Sequence, residues 1–248
     1  MFLTQVTNTV FDSFLTIVYP FPCAICGSSV ENRTDVPACN DCWQRSRVLN
    51  EVDAMCWKCG APARQTLRVV EQESIRCNKC VELEFTAARA CGLYEGALRA
   101  SVLLLKRQPS VSDRVVSLLV ATAQRQPLAN ATMILPVPLH PERERRRGFN
   151  QAAEMARAIS PRLRIPVEEG CLKRTAGSEK YRAGLDARGR SETVANAFNV
   201  HTPGRIRGEV ILLVDDVFTT GATASSCASV LREAGAKSVL VLTIARPQ

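Results

Sequence analysis

Val214-Asp215-Asp216-Val217-Phe218-Thr219-Thr220-Gly221-Ala222-Thr223 is the stretch that decides the fold. The apolar run Val210-Ile211-Leu212-Leu213-Val214 leads into it and reads as a strand buried on both faces. That strand is expected to stop at two adjacent carboxylates. A loop of threonines with Gly221 and Ala222 follows, and Ala224 to Ala234 then reads as a helix closed by Gly235. Strand, acidic pair, hydroxyl-rich loop and helix start in immediate succession suit a sugar phosphate. N–H groups at the helix start and threonine hydroxyls hold phosphate, and paired carboxylates take two sugar hydroxyls or a magnesium ion. The alternative is a ligand-free strand-to-helix turn with an Asp cap, for which one Asp or Thr suffices.

Outward from that stretch, the elements alternate. Ala87 to Tyr94, Thr132 to Val137, Glu209 to Val214 and Lys237 to Ala245 read as strands; Gly96 to Lys106, Val111 to Gln124 and Asn150 to Ile159 read as helices, the last stopped before Pro161. Alternation of this kind implies an α/β fold with a parallel sheet flanked by helices. Residues 173 to 208 are rich in Arg, Lys, Gly and Ser and read as a long functional loop. The chain of 248 residues is long enough for one medium domain and a small one, and the change of texture divides it into 1–85 and 86–248.

The N-terminal part is set by cysteine. Eight of the 11 cysteines form four C-x-x-C pairs; Cys91, Cys171 and Cys227 stand alone. Cys23, Cys26, Cys39 and Cys42 make one set, and Cys56, Cys59, Cys77 and Cys80 a second. Each pair forms a knuckle aiming two sulfurs at one ion, and two knuckles complete a four-thiolate zinc tetrahedron with no open position, so two structural zinc ions are expected. Sequential pairing is the default, and the spacing does not exclude a crossed arrangement. The segment serves either as a docking platform or as a staple for a piece of chain too small to bury a core.

Metal thiolates imply a reducing, cytoplasmic setting. The first eighteen residues carry Phe2, Leu3, Val6, Val10, Phe14, Ile17 and Val18 but no Lys or Arg, which argues against a signal peptide. Gln5, Asn8, Asp12 and Ser13 interrupt the run, so no membrane span is expected. A short amphipathic helix docking on the protein is expected there, with a membrane-surface helix as the alternative.

Net charge is +8 and the isoelectric point near 9.1, which favours anionic partners. A second anion site is expected where Pro136-Val137-Pro138-Leu139-His140-Pro141 leaves a buried strand and runs into Arg143, Arg145, Arg146, Arg147, Gly148, Phe149 and Asn150, with Asn150 capping the next helix. A solvated arginine face is the alternative. From Arg143 to Arg207 there are fifteen Lys and Arg against seven Asp and Glu, a stripe able to follow a nucleic-acid backbone. Only Phe149, Tyr181 and Phe198 are there to stack on bases.

VDDVFTTGAT resembles the 5-phosphoribosyl-1-pyrophosphate (PRPP) signature of the type I phosphoribosyltransferases. Four C-x-x-C pairs, PVPLHPERERRRGFNQAAEMA and VDDVFTTGATASSC together resemble the ComF family, named for competence protein F, over nearly the whole chain. The resemblance implies a double zinc-ribbon segment ahead of a phosphoribosyltransferase-like domain that binds PRPP with magnesium. Asp215 and Asp216 would sit at the ribose hydroxyls, and Thr219, Thr220, Gly221, Ala222 and Thr223 would wrap the 5′-phosphate. His140, Arg143, Arg147, Gly148 and Asn150 would face the pyrophosphate, and Arg188 or Arg190 would close over the site. It also implies a place in DNA uptake during natural transformation, with single-stranded DNA and DNA-uptake proteins as partners. Arg182 and Thr193 depart from the Gln and Asn usual in the family, which bears on the chemistry of that loop. The alternatives are an active transferase on an acceptor unrelated to DNA, and a non-catalytic nucleic-acid-binding module.

Overall fold

A computed structural model describes residues 21–63, 75–175 and 197–248. Six strands are present among them: β1 (Ala87–Leu93), β2 (Met133–Pro136), β3 (Leu172–Arg174), β4 (Phe198–Val200), β5 (Val210–Val217) and β6 (Ser238–Arg246). Four make one parallel sheet in the order β1-β6-β5-β2, and β3 and β4 pair as a separate antiparallel hairpin. The helices are α1 (Asn40–Gln44), α2 (Gly96–Leu105), α3 (Asp113–Ala123), α4 (Pro141–Arg147), α5 (Gln151–Leu163) and α6 (Ala222–Glu233). The expected α/β class is what the chain adopts.

Handedness explains which face each connection covers. A parallel crossover is right-handed, so connections travelling in opposite directions along the sheet lie on opposite faces. From β1 the chain moves across to β2 and then to Val167, which makes a single parallel bridge with Ile134 beyond β2. Residues of α2, α3 and α5 share one apolar cluster with Leu212, Val214, Leu240 and Leu242. The return, to β5 and then β6, passes through the hairpin and α6, whose residues cluster with Ile211, Leu213, Val239 and Val241. The alternation 211/213 against 212/214 is the strand's period of two, and its burial on both faces is why β5 reads as a continuous apolar run.

The cysteine segment wraps the β1 edge. The Leu49 N–H donates to the Cys91 carbonyl at 2.8 Å, the Leu93 N–H to the Arg47 carbonyl at 2.9 Å and the Ala88 N–H to the Lys58 carbonyl at 2.7 Å. An edge that would otherwise be free to pair with another chain is thereby covered. Cys23, Cys39, Cys42 and Trp43 join the cluster on the α2/α3/α5 face, while Cys56, Cys59, Cys80 and Phe85 join the one on the α6 face.

Several expectations are corrected. Strand β5 does not stop at Val214: it runs through the acidic pair to Val217, with Asp215 opposite Thr243 and Val217 opposite Ala245. Helix α5 does not stop before Pro161 but continues to Leu163, ending at Arg164 with φ 59°. Pro161 is exposed inside the helix, where it lacks the N–H that would reach the Arg157 carbonyl. Helix α6 begins at Ala222, two residues before the expected Ala224. The arginine segment forms a short helix, α4, with Pro141 in its first turn and Gly148 at φ 84° as its cap. Residues 173 to 208 are not structureless throughout, since parts of β3, β4 and a 3-10 turn at Pro203–Arg205 fall in them. The expected N-terminal helix lies outside the described residues, and no helix among those described is long and apolar enough to cross a membrane.

Gly92 shows how closely the segment sits on the sheet. A Cβ there would lie 2.3 Å from the Arg47 carbonyl oxygen and 2.3 Å from Leu98 Cδ1. Gly92→Ala is therefore expected to cost about 2 kcal/mol or more through overpacking, read as a lower urea midpoint at fixed zinc; an unchanged midpoint would show that the edge cover yields freely.

Candidate PRPP pocket and zinc centres

The acidic pair sits at the carboxyl end of β5. Strand alternation places the Asp216 Cβ on the α2 face and the Asp215 Cβ on the α6 face. Asp215 Oδ1 turns back to accept the Asp216 N–H at 2.8 Å. Asp216 is buried, and its Oδ2, closed off from water, pairs with the Lys106 ammonium at 3.2 Å. Lys106 is the C-cap of α2 and was not expected from the sequence. No local motif marks it, because it reaches the site only through the path of α2. Burial first, then the Asp216 charge, push the Asp215 carboxyl up to about 8, against the Asp216 N–H and the Lys106 charge. Behind Asp215, burial raises the Cys227 thiol well above its usual range, with the Asp215 charge adding to the effect.

The turn after β5 is held from beneath and open above. The Phe218 N–H donates to the Ala245 carbonyl at 2.9 Å, and the Phe218 ring meets Phe85 edge-on at 5.6 Å. Gly221 is required twice: its φ is 82°, and a Cβ would fall 2.7 Å from Phe218 Cζ and 3.0 Å from Leu83 Cδ1. The Glu84 N–H donates to Ser225 Oγ at 2.9 Å. Leu83, Glu84 and Phe85, which follow the last C-x-x-C pair, thus support the turn, a role with no sequence signal. Thr219, Thr220, Ala222 and Thr223 are exposed at the start of α6, and Thr220 Oγ1 accepts the Ala222 N–H at 3.3 Å. Hydroxyls and helix-start N–H groups therefore face outward together, an arrangement suited to an anion.

On the other side of β5, the Val137 N–H donates to the Val214 carbonyl at 2.9 Å, so the β2 end lies beside the acidic pair. His140 is buried and caps α4, its Nδ1 accepting the Glu142 N–H at 3.3 Å. Asn150 is fully engaged: its Nδ2 donates to the Val137 carbonyl at 3.0 Å and its Oδ1 accepts the Ala152 N–H at 3.0 Å. Arg143, Arg145, Arg146 and Gly148 are exposed, while Arg147 is half-buried and donates to Gln151 Oε1. A cleft of about 430 Å³ opens between α4, α5 and β3, lined by Pro138, Gly148, Phe149, Asn150, Lys173 and Arg174 among others. Much of the basic stripe is already paired. Arg157 bonds Glu154 and Glu169, Arg162 bonds Asp113, and Arg205 bonds Glu168. Phe198 is buried beneath the Arg174 guanidinium and offers no face to a base. Arg188, Arg190 and Tyr181 lie outside the described residues.

The eight paired cysteines gather sequentially into Cys23/26/39/42 and Cys56/59/77/80, with all sulfurs of a set within 4.8 Å of one another. Sγ–Sγ distances of 3.6 Å (Cys26–Cys39), 3.6 Å (Cys56–Cys80) and 3.5 Å (Cys59–Cys77) fit the edges of a tetrahedron with Zn–S bonds of about 2.3 Å. The two knuckles are built alike. The Gly27 N–H donates to the Cys23 carbonyl at 2.9 Å and the Gly60 N–H to the Cys56 carbonyl at 2.8 Å, with φ 77° and 66°. Burial raises Cys23 and Cys56, but donated backbone N–H groups outweigh it and hold both thiols down to about 6. Burial also lowers the Arg89 guanidinium to about 10, opposed by the Cys56 and Cys59 charges.

The raised Asp215 pKa has a pH signature. A carboxyl that keeps its proton when folded and releases it on unfolding makes stability fall as pH climbs from about 4 to about 8. Asp215→Asn cannot ionise, so its melting temperature should exceed wild type by more at pH 8 than at pH 5; a constant difference would show that Asp215 is not held protonated.

Parts of the chain are similar to known proteins. Residues 14–81 match the double zinc ribbon domain. The chain is 28% identical over 209 residues to DNA utilization protein YhgH of Escherichia coli O157:H7, covering 81% of this chain and 88% of that one. It is 36% identical over 114 residues to competence protein F of Haemophilus influenzae, covering 46% of this chain and about half of the relative, 49%. A similar solved structure is the glutamine PRPP amidotransferase from B. subtilis complexed with ADP and GMP, at 18% identity and a TM-score of 0.40; the match covers 57% of this chain and 30% of the amidotransferase. This chain is similar to competence protein F and DNA utilization protein YhgH, with a double zinc ribbon whose two four-cysteine sets suit structural zinc ahead of a four-stranded parallel sheet.

Proposed function

We propose that this chain binds PRPP, or another ribose 5-phosphate group, with magnesium at the carboxyl end of β5, and that it handles single-stranded DNA in the cytoplasm during natural transformation. The observation that carries the first part is the acidic pair leading directly into an open threonine-glycine turn at the start of α6. Thr219, Thr220, Thr223 and the α6 N–H groups hold the 5′-phosphate. Asp215 and Asp216 take the ribose hydroxyls, one on each face of the strand end. The α4 segment, His140 to Gly148 with Arg143 and Arg147, faces the pyrophosphate. Magnesium would supply charge neutralisation at the pyrophosphate. Should an acceptor displace pyrophosphate at C1′, the residues would act by positioning and charge stabilisation, with Arg188 and Arg190 assigned to the latter. We take 1–85 as the ribbon unit and 86–248 as the transferase-like unit.

The names of the relatives, competence protein F and DNA utilization protein, support the DNA part. Within the described stripe, the exposed arginines of α4 are the groups best placed to follow a phosphate backbone, and DNA-uptake proteins are the partners this reading implies.

Calorimetry with PRPP and magnesium tests the pocket. Losing a charged hydrogen-bond acceptor in Asp216→Ala is expected to weaken binding by about tenfold or more, and equal affinity in both proteins would remove the acidic pair as the ribose site. For DNA, replacing Arg143, Arg145 and Arg146 with Ala should flatten the log-affinity against log-salt slope by about 2, at roughly 0.7 per single-strand phosphate neutralised. A salt-independent wild type, or no binding at low salt, would sink that part.

A further inference from the structure

Arg89 on β1 and Arg246 on β6 are each only 8% exposed, and they are the buried Lys or Arg residues among those described. Neither forms an ion pair with a carboxylate among the described residues. Arg89 Nη1 donates to the Trp57 carbonyl at 2.9 Å and to the Ala88 carbonyl at 2.8 Å. Arg246 Nη1 donates to the Cys59 carbonyl at 2.5 Å, while its Nε is buried without a hydrogen-bond partner. Each guanidinium also lies over a ring, Trp57 at 5.2 Å and Phe218 at 5.4 Å. Carbonyls and ring faces offset only part of the cost of burying a cation; a buried charge needs an opposite charge.

The carbonyls they reach identify that charge. Trp57 and Cys59 belong to the Cys56–Cys59 knuckle of the second zinc centre. A zinc ion with four thiolates carries two net negative charges, which balance two guanidinium groups. We propose that the second zinc tetrathiolate is the counter-ion of Arg89 and Arg246, and that these arginines are positioning residues that fasten the second ribbon to strands β1 and β6. The first centre has no buried Lys or Arg among the described residues, so the two centres differ in how tightly they hold the metal. The Arg246 guanidinium also covers Phe218, whose ring meets Gly221 of the phosphate turn. The same cation thus joins the zinc centre to the turn.

Zinc release from the full chain into the chromogenic chelator 4-(2-pyridylazo)resorcinol tests this. Cys26→Ser and Cys77→Ser assign the first-site and second-site phases of release. Arg89→Met and Arg246→Met should each speed the second-site phase by about 10- to 100-fold, the range for losing a partner of a metal ligand, with the first-site phase unchanged. Arg246→Lys, which keeps the charge, should recover at least about half of that loss on a logarithmic scale. Wild-type release from the Met variants would overturn the proposal. Equal loosening of both sites would also overturn it by pointing to general destabilisation, and a Lys variant as loose as Met would do so by pointing to packing rather than charge. If Arg246→Met does not accumulate, Arg89→Met and Arg246→Lys give the same reading.

Discussion

Everything in the α/β part depends on β5 lying inside the sheet, paired on both edges and covered on both faces. A strand in that position has no water along its length, so its polar groups must come at an end. Here they come at the carboxyl end, where the crevice of an open parallel sheet lies. Two carboxylates in succession then point to opposite faces, and each finds a different environment: Lys106 for Asp216, and a half-buried place near Cys227 for Asp215. Asp216 is paired with a cation, while burial and the Asp216 charge push the Asp215 carboxyl up.

The ribbon segment solves a second problem under the same constraint. It is too small to bury a core of its own, and β1 would be an open edge without it. Wrapping that edge lets the first cysteine set contribute to the core on one face of the sheet and the second set to the core on the other. Metal coordination and hydrophobic packing are therefore parts of one structure rather than a tag attached to a domain. The chain just beyond Cys80 shows the benefit most directly, since Leu83, Glu84 and Phe85 hold up the turn proposed to bind phosphate.

Charge is distributed less simply than composition suggests. The net +8 and the arginine-rich stripe invite a uniform nucleic-acid track, yet Arg157, Arg162 and Arg205 are held by carboxylates, while Arg89 and Arg246 are buried. Arg143, Arg145 and Arg146 of α4 remain at the surface.

The parallel α/β class, the strand-turn-helix at 210–233 and the grouping of eight cysteines were legible in the sequence, because each rests on local periodicity or on short, chemically distinctive spacing. Boundaries were less legible. Pairing with β6 carries β5 through its carboxylates, and α5 continues past Pro161, although local rules stop the elements earlier. Sequential cysteine pairing became definite only once the knuckles were brought together. Lys106, Leu83 to Phe85, Arg89 and Arg246 were not legible at all. Each acts on a group far away along the chain, and nothing in a residue's immediate neighbours records which distant group folding will bring against it. The sequence by itself determined which chemistry the strand end and the cysteine knuckles carry; tertiary structure decided which charges balance that chemistry, since a counter-charge is selected by proximity in space.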